Sequence, residues 1–417
     1  MIPPKGEGQK KKKRIFLSKN AITHLLLLVL NPYFAFDPGF LIGLSLTTFL
    51  HFFRISYRTK MSLKSRLVTP ILVFLFIQPS FAFRSGEIHL FTFFEQLGMV
   101  PINSIFIVIS LFGVLGIPLN IVINFLGNFI YECLLFFQRI DLSIPFADYG
   151  DVYTAIFYLV GVIALYFFEA KRYRHVRYMV TILPILLLLG VMPIQPAITS
   201  GVYFINVGQG DSIIIQDHFH AVMIDTGGVL SFDMAKETLI PFMNKKQIYH
   251  LDALITTHDD FDHSGAAESL MKNFKVKTYL TKDDQFPFDA GKIHIQNLNH
   301  YEVKDENMGS LVLYMNFLDK KYLFMGDAPK EIERQIIKDN PNLKCDILKV
   351  GHHGSNTSSD ESFIRQVSAK EAIISCGRKN KYGHPNKEVL DTLYRYDVKI
   401  RRTDIEGTIS YLSYFSY

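Results

Sequence analysis

The sequence predicts a two-part chain, a polytopic α-helical membrane region followed by an α/β domain. Long apolar runs broken by short polar stretches fill residues 1–197. From residue 198 the pattern becomes short β-branched segments ending in Asp/Gly turns, with charged segments of helical length between them. Basic residues gather beside the apolar runs. A length of 417 residues suffices for two or three domains. We place them at 1–197 and 198–417.

Composition excludes little. The net charge of +5 is too small to specify a polyanion partner by itself. Cys133, Cys345 and Cys376 stand too far apart for a thiolate metal cluster or a disulfide framework. The start does not read as a cleaved signal peptide. Lys10 to Arg14 and Leu25 to Leu30 imitate one, but no small-x-small site follows and more apolar runs come later.

A helix needs about 20 mostly apolar residues to cross a bilayer. Candidate spans fall near 18–32, 36–53, 67–83, 98–116, 119–137, 151–169 and 178–197. Asn31-Pro32 and Asp37-Pro38-Gly39 interrupt the first two. Such breaks are tolerated where the freed backbone is buried in protein or faces a watery cavity. The fourth and fifth are two tight spans or one broken one. Basic loops set the orientation. Lys10–Lys19, the group Arg54, Arg58, Lys60, Lys64 and Arg66, and the group Lys171, Arg172, Arg174 and Arg177 should face the cytoplasm. The 138–150 loop, with Asp141, Asp148 and only Arg139, should face outward. Seven crossings satisfy all four and deliver the second domain outside.

The second domain should open with strands at Gly201–Val207 and Ser212–Gln216 around the turn Gly208-Gln209-Gly210-Asp211. A strand at Ala221–Ile224 ends at Asp225-Thr226-Gly227-Gly228, and Glu237–Asn244 reads as a helix. Asp252–Thr256 runs into the most informative peptide, His258-Asp259-Asp260-Phe261-Asp262-His263. A cluster that mixes imidazole with carboxylate, after an apolar strand and before a helix, offers ligands suited to Zn²⁺ or Mn²⁺. Further strands at Lys321–Met325, Cys345–Val350 and Ala372–Ser375 end in Gly326-Asp327, in Gly351-His352-His353-Gly354-Ser355, and in the segment from Cys376 to Pro385. A sheet gathers its strand ends along one edge, so these loops should converge. Arg378, Lys379 and Lys381 then either touch substrate or form a solvated turn. Ser355, Thr357 and Ser358 either bond phosphate or cap a helix at Asp360–Val367.

The peptides VGQGDSIII, MIDTGG, THDDFDH, FMGDA, LKVGHHGSNTS and GRKNKYGHP, in that order, resemble the metallo-β-lactamase superfamily. More narrowly they resemble the DNA-internalisation competence family of the ComEC/Rec2 type, in which Asp stands, as Asp260 does here, where a second His is common. LNPYFAFDPGFLIGLSLTTF and PINSIFIVISLFGVLGIPL resemble that family's membrane domain. The resemblance implies a four-layer αβ/βα sandwich with two divalent metal ions (Zn or Mn) at one edge. It places His258 and Asp260 on one ion, Asp262 and His263 on the other, and Asp327 between them. One of His352 and His353 completes the second site, and His352 is favoured because it comes first off the strand. Asp225 would orient a ligand imidazole, and His384 would lie near the substrate phosphate. Asp262, Asp327 and His384 are thus the expected catalytic groups. His353, Ser355, Arg378, Lys379 and Lys381 are the expected supporting or substrate contacts. The usual third His of the first ion has no counterpart; Asn307-Met308-Gly309-Ser310 occupies that stretch, so that ion should be held weakly or by water.

The implied function is a membrane-bound DNA-uptake protein whose extracytoplasmic domain is a metal-dependent nuclease acting on incoming single-stranded DNA. The lipid bilayer, other uptake proteins or a subunit supplying further helices would be partners. The alternatives are a transport component with an inactive hydrolase-like domain, and a hydrolase of a small molecule. Full-length relatives carry an amino-terminal soluble domain and more helices, so the expectation is a natural short form, half of a split protein or a fragment.

Overall fold

The computed structural model describes residues 22–37, 39, 40, 43, 82, 85–169, 172–301 and 307–415. They fall into two compact units, Met1–Met192 and Pro193–Tyr417.

In the first unit, helices Thr92–Val114 and Asn120–Ile140 pack together, as do Gly150–Glu169 and Tyr173–Val191. Their positions match the last four expected spans. Most of the expected spans at 36–53 and 67–83, and part of that at 18–32, lie outside the described residues. Strands β1 (Glu87–His89) and β2 (Ser143–Pro145) pair antiparallel beside the helices. Gly190 lets the helix Tyr173–Val191 close on buried Phe146, since a Cβ there would sit 2.2 Å from the ring. Among the described residues one helix, Asn120–Ile140, is long and apolar enough to cross a membrane. The apolar stretches Pro101–Val114, Val152–Gly161 and Arg177–Val191 are shorter. Multiple crossings therefore do not follow from these helices alone.

The second unit is two packed sheets. One contains β3 (Thr199–Phe204), β4 (Ile213–Asp217), β5 (His220–Ile224), β6 (Leu251–Ile255), β7 (Val276–Leu280) and β15 (Ile409–Tyr414), in the order β15-β3-β4-β5-β6-β7. The other contains β8 (Phe288–Ala290), β9 (Ile293–Asn297), β10 (Leu313–Phe317), β11 (Lys320–Phe324), β12 (Ile347–Lys349), β13 (Glu371–Ile374) and β14 (Lys399–Arg402), in the order β14-β13-β12-β11-β10-β9-β8. The parallel pairs β5–β6, β11–β12 and β12–β13 put the carboxyl ends of these strands on a common edge of each sheet.

Period-two alternation builds the layers. Val202 and Phe204 of β3 enter the core between the sheets with Ile224, Ile255, Met315, Phe324 and Ile373. Their neighbours Tyr203 and Ile205 face outward onto Leu239, Met243 and Leu270 of the covering helices. On the far side Leu323, Leu348 and Ile374 pack against Ile332, Ile336, Phe363 and Leu393. Three apolar layers thus separate four layers of structure in an αβ/βα sandwich. Because both faces are covered, β3, β4 and β6 are buried at every position.

Candidate metal centre

The strand ends do converge, each for a local reason. Asp225 follows β5 in the left-handed region (φ 57°), which Asp tolerates better than most residues. Its carboxylate accepts from the Thr257 amide at 2.8 Å, the Thr257 hydroxyl at 2.8 Å and His263 Nδ1 at 2.8 Å. A carboxylate on Nδ1 keeps the proton there and turns the Nε2 lone pair toward Asp327, whose Oδ1 lies 3.1 Å away. His258 is also buried, with Nε2 3.4 Å from Asp260 Oδ2 and 3.9 Å from Asp327 Oδ2.

Asp327 ends the segment after β11 and is 2% exposed. Gly326 before it takes φ +51°, with a virtual Cβ 3.2 Å from Ser310 and Thr257, so glycine suits this turn. His352 and His353 follow β12 in a turn where both are left-handed (φ 48° and 53°). Backbone of this kind costs about 1–3 kcal/mol per residue and collects at functional sites. The turn sends the two rings different ways. His353 is fully buried, its Nδ1 3.1 Å from the Ser375 carbonyl and its Nε2 3.2 Å from Asp262 Oδ2 and 3.8 Å from Asp327 Oδ1. The His352 side chain is 27% exposed; its Nδ1 lies 3.0 Å from the Thr357 hydroxyl and its Nε2 3.5 Å from Asp327 Oδ2.

Two groups of side chains offer ligand atoms within 4.8 Å of one another: Asp211, His263, Asp327 and His353, and His258, Asp260 and Asp327. Asp327 belongs to both. His353 rather than His352 falls in the first group, because the left-handed turn carries the second imidazole under the Ser375 carbonyl and leaves the first toward solvent. Asp262 stands beside the first group without being one of its members. Ser310 is buried, and its Oγ accepts from the Asp327 amide at 3.4 Å, in the stretch where no third His was found.

Asp211 was not among the expected site residues. Gly210 before it has φ 122° and a virtual Cβ 2.3 Å from the Asp262 carbonyl, so the turn must carry glycine to lie against the ligand loop. The Asp211 amide donates to that same carbonyl at 3.1 Å. Its Oδ2 is 2.6 Å from Lys349 Nζ, and both side chains are buried. A lone Lys inside the apolar run of β12 was the signal for a buried acidic partner.

Among the described residues, five buried atoms of the two groups have no hydrogen-bond partner: His258 Nε2, His263 Nε2, His353 Nε2, Asp211 Oδ1 and Asp327 Oδ1. Unpaired buried polar atoms are costly, so their convergence needs a ligand. The electrostatics agree. Burial opposes charge on His263, yet Asp225 and Asp327 hold its pKa well above the ordinary value. Burial likewise opposes charge on His353, but Asp327 and Asp211 raise its pKa to about 9. Asp327 stays ionised far below the ordinary range despite burial, through His353 and His263. A site that favours a proton on buried imidazole is suited to a divalent cation in its place, and the donor set of imidazole and carboxylate fits one.

His384 also reaches the site. Its ring centroid is 5.8 Å from that of His352 and 6.5 Å from that of His353. Burial, then the neighbouring His353 and His352, lowers its pKa. Arg378, Lys379 and Lys381 are exposed on the same loop. Ser355 is buried, its Oγ accepting from Thr357, and the helix Glu361–Val367 is capped instead by Asp360, which accepts from Ser362.

This fold and this set of clustered ligands define a metal-dependent hydrolase domain of the metallo-β-lactamase type. The family model of the metallo-β-lactamase superfamily matches residues 205–292. ComE operon protein 3 of Bacillus subtilis is 30% identical over 94% of this chain and 57% of its own length. Recombination protein 2 of Haemophilus influenzae is 30% identical over 49% of this chain and 28% of its own. Competence protein ComA of Neisseria gonorrhoeae is 28% identical over 49% and 31%. The chain is similar to competence proteins of the ComEC/Rec2 type and carries a carboxy-terminal metallo-β-lactamase-like domain; it spans 57% or less of the length of these curated relatives.

Proposed function

We propose that this chain is a multi-pass membrane protein of DNA uptake whose domain 198–417 is a metal-dependent phosphodiesterase acting outside the cytoplasmic face on incoming single-stranded DNA. The observation that carries the chemistry is the convergence of unpartnered imidazole and carboxylate atoms around Asp327. The names of two relatives speak of competence and of recombination, which favours DNA over a small molecule as substrate.

His258, Asp260 and Asp327 would hold one cation; Asp211, His263, Asp327 and His353 the other, with Asp262 beside them. A pair of divalent ions, Zn²⁺ or Mn²⁺, supplies charge neutralisation and an acidified water. Asp225 keeps His263 in the ligating tautomer. The Asp262 side chain is 32% exposed while its partner His353 is buried. It is therefore the carboxylate placed to accept a proton from an attacking water. His384 can deliver one to the leaving oxygen, and Arg378, Lys379 and Lys381 offer positive charge to the phosphates.

In the first unit no residue of Asn120–Ile140 is buried, although the helix is apolar. Lipid is the natural cover for such a surface. Seven crossings with domain 1–197 in the bilayer, which would satisfy the basic loops, and docking to other uptake proteins belong to the same reading.

The test is cleavage of a single-stranded oligonucleotide by the full chain loaded with Mn²⁺ or Zn²⁺. Activity should appear only with metal and disappear in Asp262→Ala. A metal-loaded chain that leaves single- and double-stranded DNA intact would defeat the reading. Turnover of a β-lactam or thioester by that chain would replace it.

A further inference from the structure

Tyr382 is 57% exposed, on the loop that brings His384 to the metal centre. Its ring stacks on His384, with centroids 5.7 Å apart and planes at 24°. His384 in turn stacks on His353 at 28°. Three rings, each tilted less than 30° from the next, therefore lead from the buried cluster to the surface, and Tyr382 is the outermost. Lys381 Nζ lies 5.0 Å from the tyrosine centroid.

The loop is braced from within. Asn380 Nδ2 donates to the carbonyls of Gly377 (3.0 Å) and His384 (2.6 Å), and its Oδ1 accepts from the amides of Tyr382 (3.2 Å) and His384 (3.0 Å). The Gly377 amide donates to Gln209 Oε1 at 3.1 Å, which ties the loop to the turn before Asp211. An exposed aromatic ring on a loop this restrained loses little entropy when a flat ligand covers it.

We propose that Tyr382 is a stacking subsite for a nucleobase of the strand whose phosphate lies at the metal centre. This rests on the phosphodiesterase reading for the identity of the strand. A nucleotide brings both groups the loop can use, a π face for the tyrosine and a phosphate for Lys381, Lys379 and Arg378. Stacking accepts every base and requires one with an open face, so the subsite favours single strands without reading sequence. Bases inside a duplex are already covered on both faces by their neighbours.

Two measurements on the full chain test this. In the first, a single-stranded oligonucleotide carrying 2-aminopurine is bound, and its fluorescence should fall on stacking. The quench should be lost in Tyr382→Ala and restored in Tyr382→Phe, which keeps the ring. In the second, metal-loaded cleavage of a base-bearing oligonucleotide is compared with that of an abasic one of equal length. Tyr382→Ala should raise KM for the base-bearing strand about tenfold, as loss of one stacked base implies, and should shrink the difference between the two strands. A tyrosine that only steadied His384 would lower kcat on both strands alike and leave the quench intact, and that result would overturn the proposal. A wild-type chain that cuts neither strand defeats the phosphodiesterase reading, while the quench still decides the stacking subsite.

Discussion

Replacing Asp225 by Asn removes one charge and turns one acceptor into a donor, with almost no change of shape. The carboxylate takes three donors, two from Thr257 and one from His263. With the amide oxygen left on the Thr257 amide, the new NH₂ faces the Thr257 hydroxyl and His263 Nδ1. The hydroxyl can rotate and accept. The imidazole can accept only by moving its proton to Nε2, the atom that faces Asp327 at 3.1 Å. That proton occupies the lone pair a cation needs. Loss of such an orienting partner costs about 10–100-fold in metal affinity, and 1.4 kcal/mol corresponds to tenfold. Calorimetric titration of the full chain with Mn²⁺ or Zn²⁺ should show the site that contains His263 losing affinity by that factor. The melting temperature without metal should change far less than in Asp225→Ala, which strands three buried donors. Wild-type metal affinity in Asp225→Asn would refute the claim that Nε2 of His263 is a ligand atom set by this hydrogen bond.

Gly210→Ala should be poorly tolerated, because its Cβ would lie 2.3 Å from the Asp262 carbonyl on a backbone with positive φ; thermal unfolding should show a loss of at least about 2 kcal/mol, with reduced metal binding. Lys349→Met leaves Asp211 buried without its cation, and urea denaturation should show a loss of about 3–5 kcal/mol, partly recovered when Asp211→Asn is added. Glu333 is fully buried, and burial raises its pKa to about 7. A carboxyl whose folded pKa exceeds its unfolded value stabilises the fold fully below the unfolded pKa and loses that contribution as pH rises through the folded one. Stability should therefore decline from about pH 4.5 to 7, by up to about 1.4 kcal/mol per pH unit from this group, and Glu333→Gln should flatten that segment of a pH-dependent unfolding curve.

Most of the strands nearest the metal centre were legible because their signals are local. An apolar run ending in Gly, Asp or His marks β5, β6, β11, β12 and β13 wherever they sit in space. Strands β7 and β15 carried no such mark. Strand β7 is an edge strand with three exposed central residues, and β15 pairs with β3 from the far end of the chain. Neither fact is recorded in a short window. The expected membrane spans share the same limit, since hydropathy marks where a segment is apolar, while among the described residues one helix is long and apolar enough to cross.

By itself the sequence determined the division into an apolar half and an α/β half, the chemistry of the ligand loops, and their place at strand ends. Residue type and spacing encode those directly. Only the tertiary structure decided which ligands meet. It set His353 rather than His352 among the clustered side chains, through two left-handed residues in the Gly351–Gly354 turn. It brought Asp211 to the cluster through Lys349, which lies 138 positions away in the chain and 2.6 Å away in space. Side-chain direction after a turn, and pairing between distant segments, are set by packing of the two sheets, and packing is a property of the whole fold rather than of any peptide within it.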